Sequence, residues 1–324
     1  MLRYILKRIL MLIPIIIGIT IVVQILIEVT PGDPAQLMLG IDATPERIEE
    51  VRDQMGLNDP LPVRYARYMR GVLQGDFGRS FTTGRPVWDE VVQRFPFTLL
   101  LVSISLTLSI LIGIPLGVFA ATNQSTWRDN AAMFVSLFCV SMPSFWFALM
   151  LIQEFAVNRR WLPLAGISTW QGWILPSIAL ALGLTAVIAR QTRSNLLEVI
   201  RQDYITTARA KGLGEGKVIY RHALKNALIP VIMVCGGMFG SLLGGVLISE
   251  VIFSIPGLGQ YTITALSNRD YPVIQSSVLI LSTLFAIVIL IVDIVFAIVD
   301  PRIRSQYIRR RERKLAASKK GAEA

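Results

Sequence analysis

Six apolar runs divide the chain, over about 9–29, 98–121, 131–155, 173–192, 227–253 and 273–298. At 1.5 Å rise per residue, about 20 such residues match the hydrocarbon thickness of a bilayer. The pattern predicts an all-α membrane protein with six transmembrane helices. Arg3, Lys7 and Arg8 precede the first run, as in a signal peptide. That run is about twice a signal core, and Glu28, Thr30 and Pro31 stand where small cleavage-site residues would be. A retained span is expected.

Between the first two runs lies the one long polar stretch, 30–96. Thr44-Pro45-Glu46 reads as a helix start, with Ile48, Val51 and Met55 on one face and Gly56 as a stop. A second helix is expected from about Val63 to Leu73, with Tyr65, Met69 and Val72 in a stripe and Gly75 ending it. This helical extracytoplasmic loop suits a lid packed on the bundle or a contact with a soluble outer partner. The predicted organisation is 1–29 first span, 30–96 helical loop, 97–299 five-helix core and 300–324 basic tail.

Composition removes the soluble alternative. Of 324 residues 53% are hydrophobic and 17% are charged, below the quarter usual in soluble domains. With the N-terminus placed inside, the inner segments carry 21 of the 32 Lys and Arg. The positive-inside rule then puts both termini in the cytoplasm. The net charge of +10 is accounted for by that topology and by attraction to anionic membrane lipid, notably at Arg309–Lys314. Nucleic acid is not expected as a partner. Cys139 and Cys235 fall within spans and form no disulfide framework.

Small residues recur every fourth position in three runs: Gly113, Gly117 and Ala121; Ser177, Ala181, Thr185 and Ala189; Gly236, Gly240 and Gly244, with Gly237, Ser241 and Gly245 beside them. Such stripes allow helices to approach closely in lipid; in the fifth span they also suit a pathway wall that slides during gating. Glu28, Glu154 and Glu250 lie near outer span ends, where they would form an acidic mouth if they faced the bundle, or simply be hydrated at the interface. Asp293, inside the last span, is expected to accept hydrogen bonds from a neighbouring helix as a packing anchor.

Catalytic motifs fail. Gly212-Leu-Gly-Glu-Gly-Lys217 lacks the first glycine of a phosphate loop, because Lys211 occupies it, and Val218 replaces the magnesium-binding hydroxyl. His222 is the sole histidine, so a His-rich zinc site is excluded and a serine triad has only that base. No catalytic residue, metal or cofactor is expected on this chain.

Eight basic residues lie from Arg190 to Lys225, between the fourth and fifth runs, and a cytoplasmic coupling loop is expected over 193–226. Tyr204 to Lys211 reads as a helix with Asp203 as N-cap and Gly212 as its left-handed stop. Tyr204, Thr207, Ala208 and Lys211 share one side. A second helix starts near Glu215, with Ile219, Tyr220, Ala223, Leu224 and Ala227 as its apolar stripe. Two capped helices on a membrane protein suit the docking of a partner.

Thr207-Ala-Arg-Ala-Lys-Gly212 and His222-Ala-Leu-Lys-Asn-Ala-Leu-Ile-Pro230 resemble the dipeptide/oligopeptide branch of the permease subunits of binding-protein-dependent ATP-binding-cassette importers. Thr206 stands where the wider superfamily has Glu. Pro31-Gly-Asp-Pro34, Gly75-Asp-Phe-Gly78, Ile252-Phe-Ser-Ile-Pro-Gly-Leu-Gly259 and Asp300-Pro-Arg-Ile-Arg304 extend the resemblance across nearly the whole chain. It implies a subunit of the bacterial inner membrane. The implied partners are a second homologous permease, two cytoplasmic ATPases carrying ATP and Mg, and an extracytoplasmic substrate-binding protein. It also implies that Tyr204, Thr207, Ala208, Arg209, Ala210, Lys211 and Gly212 couple the chain to an ATPase. Relatives at this level import dipeptides, longer peptides, glutathione, nickel chelates or sugars. A passive channel, a membrane-embedded enzyme and a sensor or scaffold are the rival classes.

Overall fold

The computed structural model describes residues 2–40 and 43–299. The basic tail expected over 300–324, with its Asp300–Arg304 motif, lies outside the described residues. Within them the chain is helical, and the one extended pairing is an isolated antiparallel bridge between Arg79 and Pro86.

Helix α1 (Leu2–Val29) buries Thr20, Gln24 and Ile27 against its neighbours and leaves Leu10, Ile13, Val22 and Leu26 exposed. A helix of this length with a broad exposed apolar surface is suited to lipid. Three short helices follow: α2 (Pro34–Leu39), α3 (Pro45–Gln54) and α4 (Leu61–Leu73). The Asp33 carboxylate accepts from the Ala35 amide at 2.9 Å and starts α2, a helix without a counterpart in the sequence reading. Thr44 caps α3 through the Arg47 amide at 3.4 Å. Gly56 (φ +66°) and Gly75 (φ +81°) take left-handed conformations just beyond α3 and α4. The loop lies on the bundle as a lid: the Tyr65 and Thr20 hydroxyls are 2.9 Å apart, and Arg64 meets Glu28 at 2.7 Å.

Helix α5 (Val87–Thr122) begins well ahead of its apolar run. The third span departs from expectation. Helix α6 (Trp127–Ser141) and helix α7 (Ser144–Leu151), which continues as a π-helical turn to Asn158, meet at 99°. Met142-Pro143 makes the break. Proline removes an amide donor and forces the preceding residue out of the helical region, and Met142 is extended at ψ 129°. A 3-10 turn (Trp170–Trp173) leads into α8 (Ile174–Ile200).

Helix α9 (Asp203–Ala210) is separated by a turn from α10 (Glu215–Lys217). Through a π-helical turn over Val218–Ala223, α10 runs on into α11 (Leu224–Ile252). Then come α12 (Leu258–Ser267), also unanticipated, and α13 (Tyr271–Val299). Among the described residues five unbroken helices are long and apolar enough to cross a membrane, six if the bent pair forms one span.

The most enclosed span, α8, forms the centre of the bundle. Its Leu175, Ala179, Leu180 and Leu184 pack with Leu101 and Val102 of α5, Ala148 and Leu151 of α7, and Leu242, Leu243 and Val246 of α11. Glycines set the spacing. A Cβ on Gly117 would stand 2.5 Å from the Ala189 carbonyl, and one on Gly113 2.9 Å from that of Thr185, so α5 touches α8 backbone to backbone.

Candidate coupling site

Helix α9 sits on the end of the bundle opposite the long loop. Ile205 and Ala208, three residues apart, are its buried face. They join Val118 and Ala121 of α5, Leu196 of α8, and Val218, Ile219, Ala223 and Ala227 in one apolar cluster. Through this cluster a short helix grips three spans at once. Tyr204, Thr207, Arg209, Ala210, Lys211 and Gly212 remain exposed. Ala208 therefore faces its own chain, not the side that holds Tyr204, Thr207 and Lys211.

The turn after α9 is built for rigidity. Gly212 takes φ +77°, with nothing within 4 Å of where a Cβ would stand. Arg209 forks onto Glu215 across the turn, Nε at 3.0 Å and Nη2 at 2.6 Å. Asn226 donates to the Tyr204 hydroxyl at 2.8 Å. Two expectations shift. The residue flanking the start of α9 is Gln202, with Asp203 already helical and no side-chain cap. Tyr220 is 66% exposed, because the wider turn of the π segment rotates it off the stripe that Val218, Ile219 and Ala223 occupy.

The expected acids all have partners within the chain. Glu250 does not stand in an outer mouth. It is fully buried, and it accepts from the Thr98 hydroxyl at 2.5 Å and from the Gln260 amide at 3.0 Å. Thr98 in turn accepts from the Leu258 amide at 2.8 Å. The carboxylate knots α5, α11 and the start of α12, and it fills the space a Gly257 side chain would need. Glu28 and Glu154 are exposed, but each is ion-paired, to Arg64 at 2.7 Å and to Arg159 at 2.5 Å. Asp293 of α13 meets Arg8 of α1 at 2.8 Å. A Cβ on Gly236 or Gly240 would collide with Val292 or Phe285 of α13, at 2.5 and 2.7 Å, whereas Gly244 faces open space.

Two polar links were not read from sequence. Asp129 of α6 holds Arg193 of α8 by two contacts of 2.6 Å, and Asp270 ties the long loop to α13. Each joins residues far apart in the chain, and periodicity carries no such signal. The acid in the first turn of α6 was the only available hint.

The family model described as "Binding-protein-dependent transport system inner membrane component" matches residues 113–305, and the model of its N-terminal part matches residues 1–102. The chain belongs to that family. With its apolar spans, it is a multi-pass protein of the bacterial inner membrane, a transport component and not a catalyst. The dipeptide transport system permease protein DppB of Alkalihalophilus pseudofirmus is 43% identical over 94% of this chain and 100% of that protein. The glutathione transport system permease protein GsiC of Salmonella paratyphi A is 42% identical over 94% of this chain and 99% of that one. In Escherichia coli (strain K12), GsiC is 41% identical at the same coverage. Among solved structures, the inward-facing MetNI methionine ABC transporter aligns with a TM-score of 0.58, at 19% identity, over 65% of this chain and 96% of that chain. At that identity the likeness concerns the fold alone.

Proposed function

We propose that this permease is the membrane subunit of an ATP-driven importer of dipeptides and oligopeptides. It works beside a second, homologous permease, with two cytoplasmic ATPases that hydrolyse ATP with Mg and an extracytoplasmic binding protein that delivers cargo. Both termini lie in the cytoplasm. The observation that carries the reading is the construction of α9. Its inner face is welded to α5, α8 and the start of α11, and its outer face, Tyr204, Thr207, Ala210 and Lys211, is left for another protein.

Closure of the ATPase pair on ATP moves α9, and the shared apolar cluster passes that motion to three spans as a rigid body. The cavity then opens outward, and hydrolysis resets it. Cargo and nucleotide act as biases on two global states. In the pathway we place Gly244, whose face is open, with Glu28 and Glu154 as an arginine-paired rim.

A glutathione importer is the second reading, supported by the relatives at 41–42% identity. Uptake of a labelled dipeptide, competed by unlabelled dipeptides, tripeptides or glutathione, separates the two. For coupling, Gly212→Trp keeps its membrane abundance and loses the co-purifying ATPases and uptake. Normal uptake at normal abundance sinks the coupling assignment.

A further inference from the structure

Asp129 opens α6, and Arg193 lies two turns before the end of α8. Nε and Nη2 of the arginine each approach a different oxygen of the carboxylate at 2.6 Å, and the Asp129 side chain is 2% exposed. The Ser125 amide adds a third bond at 3.1 Å. Ser125 itself is in the left-handed region, φ +63°, so the turn between α5 and α6 is shaped around this carboxylate. Beside it, Gly117 brings α5 within contact of Thr192 and the Arg193 amide.

The position of this pair matters. Three residues beyond Arg193, Leu196 enters the cluster that grips α9, and α8 then leads through Gln202 into α9 itself. Helix α6 contributes nothing to that cluster; its buried residues are Asp129, Ala132 and Ser136. The 99° break at Pro143 also separates α6 from α7, which is held in the central core. The first half of the third span packs along α8, with Ala132 and Ser136 buried, and at its base one forked ion pair fixes it to the segment that leads into α9. A buried pair is a poor source of stability beside a packed apolar contact. What the fork supplies is a fixed distance and angle.

We infer that Asp129 and Arg193 are positioning residues for transport, a strut that makes α6 move with α8 when α9 is driven. The inference rests on the coupling reading of α9, and Gly212→Trp with ATPase co-purification tests that reading separately.

The test uses the assembled importer in proteoliposomes. Asp129→Asn, Arg193→Gln and Arg193→Lys are compared for membrane abundance, ATPase retention and dipeptide imported per ATP hydrolysed. In each, with Cys139 and Cys235 replaced by serine, spin labels at Val135 on α6 and Lys217 beside α9 report their separation with and without ATP. The wild-type separation stays constant on ATP binding. Asp129→Asn and Arg193→Gln retain the ATPases, lose about tenfold in import per ATP, a typical coupling free energy, and their label separation changes with ATP. Arg193→Lys, with charge but no fork, falls between. Wild-type import per ATP in Asp129→Asn, or an ATP response of the labels equal in variant and wild type, overturns the inference. Loss of membrane abundance in all three variants also overturns it, by assigning the pair to folding.

Discussion

Ser80 donates its hydroxyl to the Asp270 carboxylate at 2.5 Å, joining positions 190 residues apart. The same carboxylate accepts the Phe81 and Thr82 amides at 3.0 and 3.1 Å, and the Asp270 carbonyl accepts from Ile274 in the first turn of α13. One residue, 2% exposed, thus pins the tip of the long loop to the last span. Asp270→Ala leaves three donors without their acceptor, at about 1–3 kcal/mol for each one left buried. The expected result is a lower melting temperature in detergent and faster proteolysis within 76–86. A variant with unchanged melting and cleavage would show that the loop is held by other contacts.

Glu250 provides a second test of structure. Its oxygens face a hydroxyl and backbone amides, all donors. Glu250→Gln places an NH2 group among those donors, so one oxygen's bonds are lost while the volume stays the same. We expect reduced membrane abundance and thermal stability whatever the cargo. If the variant is fully stable and only the uptake of cationic peptides falls, the buried knot is misassigned and an acidic mouth is restored.

The glycines differ in what surrounds them. Gly117→Ala drives a methyl into the Ala189 carbonyl and the α8 backbone, which cannot yield locally. Gly240→Ala meets the outer edge of the Phe285 ring, which can turn. Gly244→Ala meets nothing within 4 Å. Membrane abundance should therefore rank Gly244→Ala at wild type, Gly240→Ala lower and Gly117→Ala lowest, by the usual cost of overpacking, about 1–3 kcal/mol. Abundance equal in all three would contradict the close packing of α5 on α8.

At Gly212 the backbone sets the cost. A left-handed residue with a Cβ carries about 1–2 kcal/mol of strain, although the space around it is open. Gly212→Asn, which tolerates that region, should restore ATPase co-purification that Gly212→Val loses. Equal retention by both would remove the turn conformation from the account.

Much of the fold was legible. Apolar length predicted the spans, Thr44 and Pro45 the start of α3, and Gly212 the stop after α9. The break at Pro143 was hidden because an apolar run reads the same whether it is straight or bent by 99°. Helix α12 is ten residues long, too short to stand out as a span. The sequence leaves Glu250 open between an acidic mouth and a hydrated interface, because its partners Thr98 and Gln260 belong to different segments and hydropathy does not record which face of a span end is enclosed. The contact face of α9 was half visible. Three- and four-residue spacing groups Ala208 with Tyr204, Thr207 and Lys211, whereas the packed bundle anchors Ala208 together with Ile205 and leaves the other three exposed.

Reconstitution of the subunit in liposomes tests the absence of an internal engine most directly. Labelled dipeptide, accumulated against its gradient, is measured with the binding protein and ATP present throughout, first with the permeases alone, then with the ATPases added, and then with ATPases plus a chain carrying Gly212→Trp. The account predicts accumulation in the second case only. Concentrative uptake by the permeases without any nucleotide-hydrolysing subunit would contradict it.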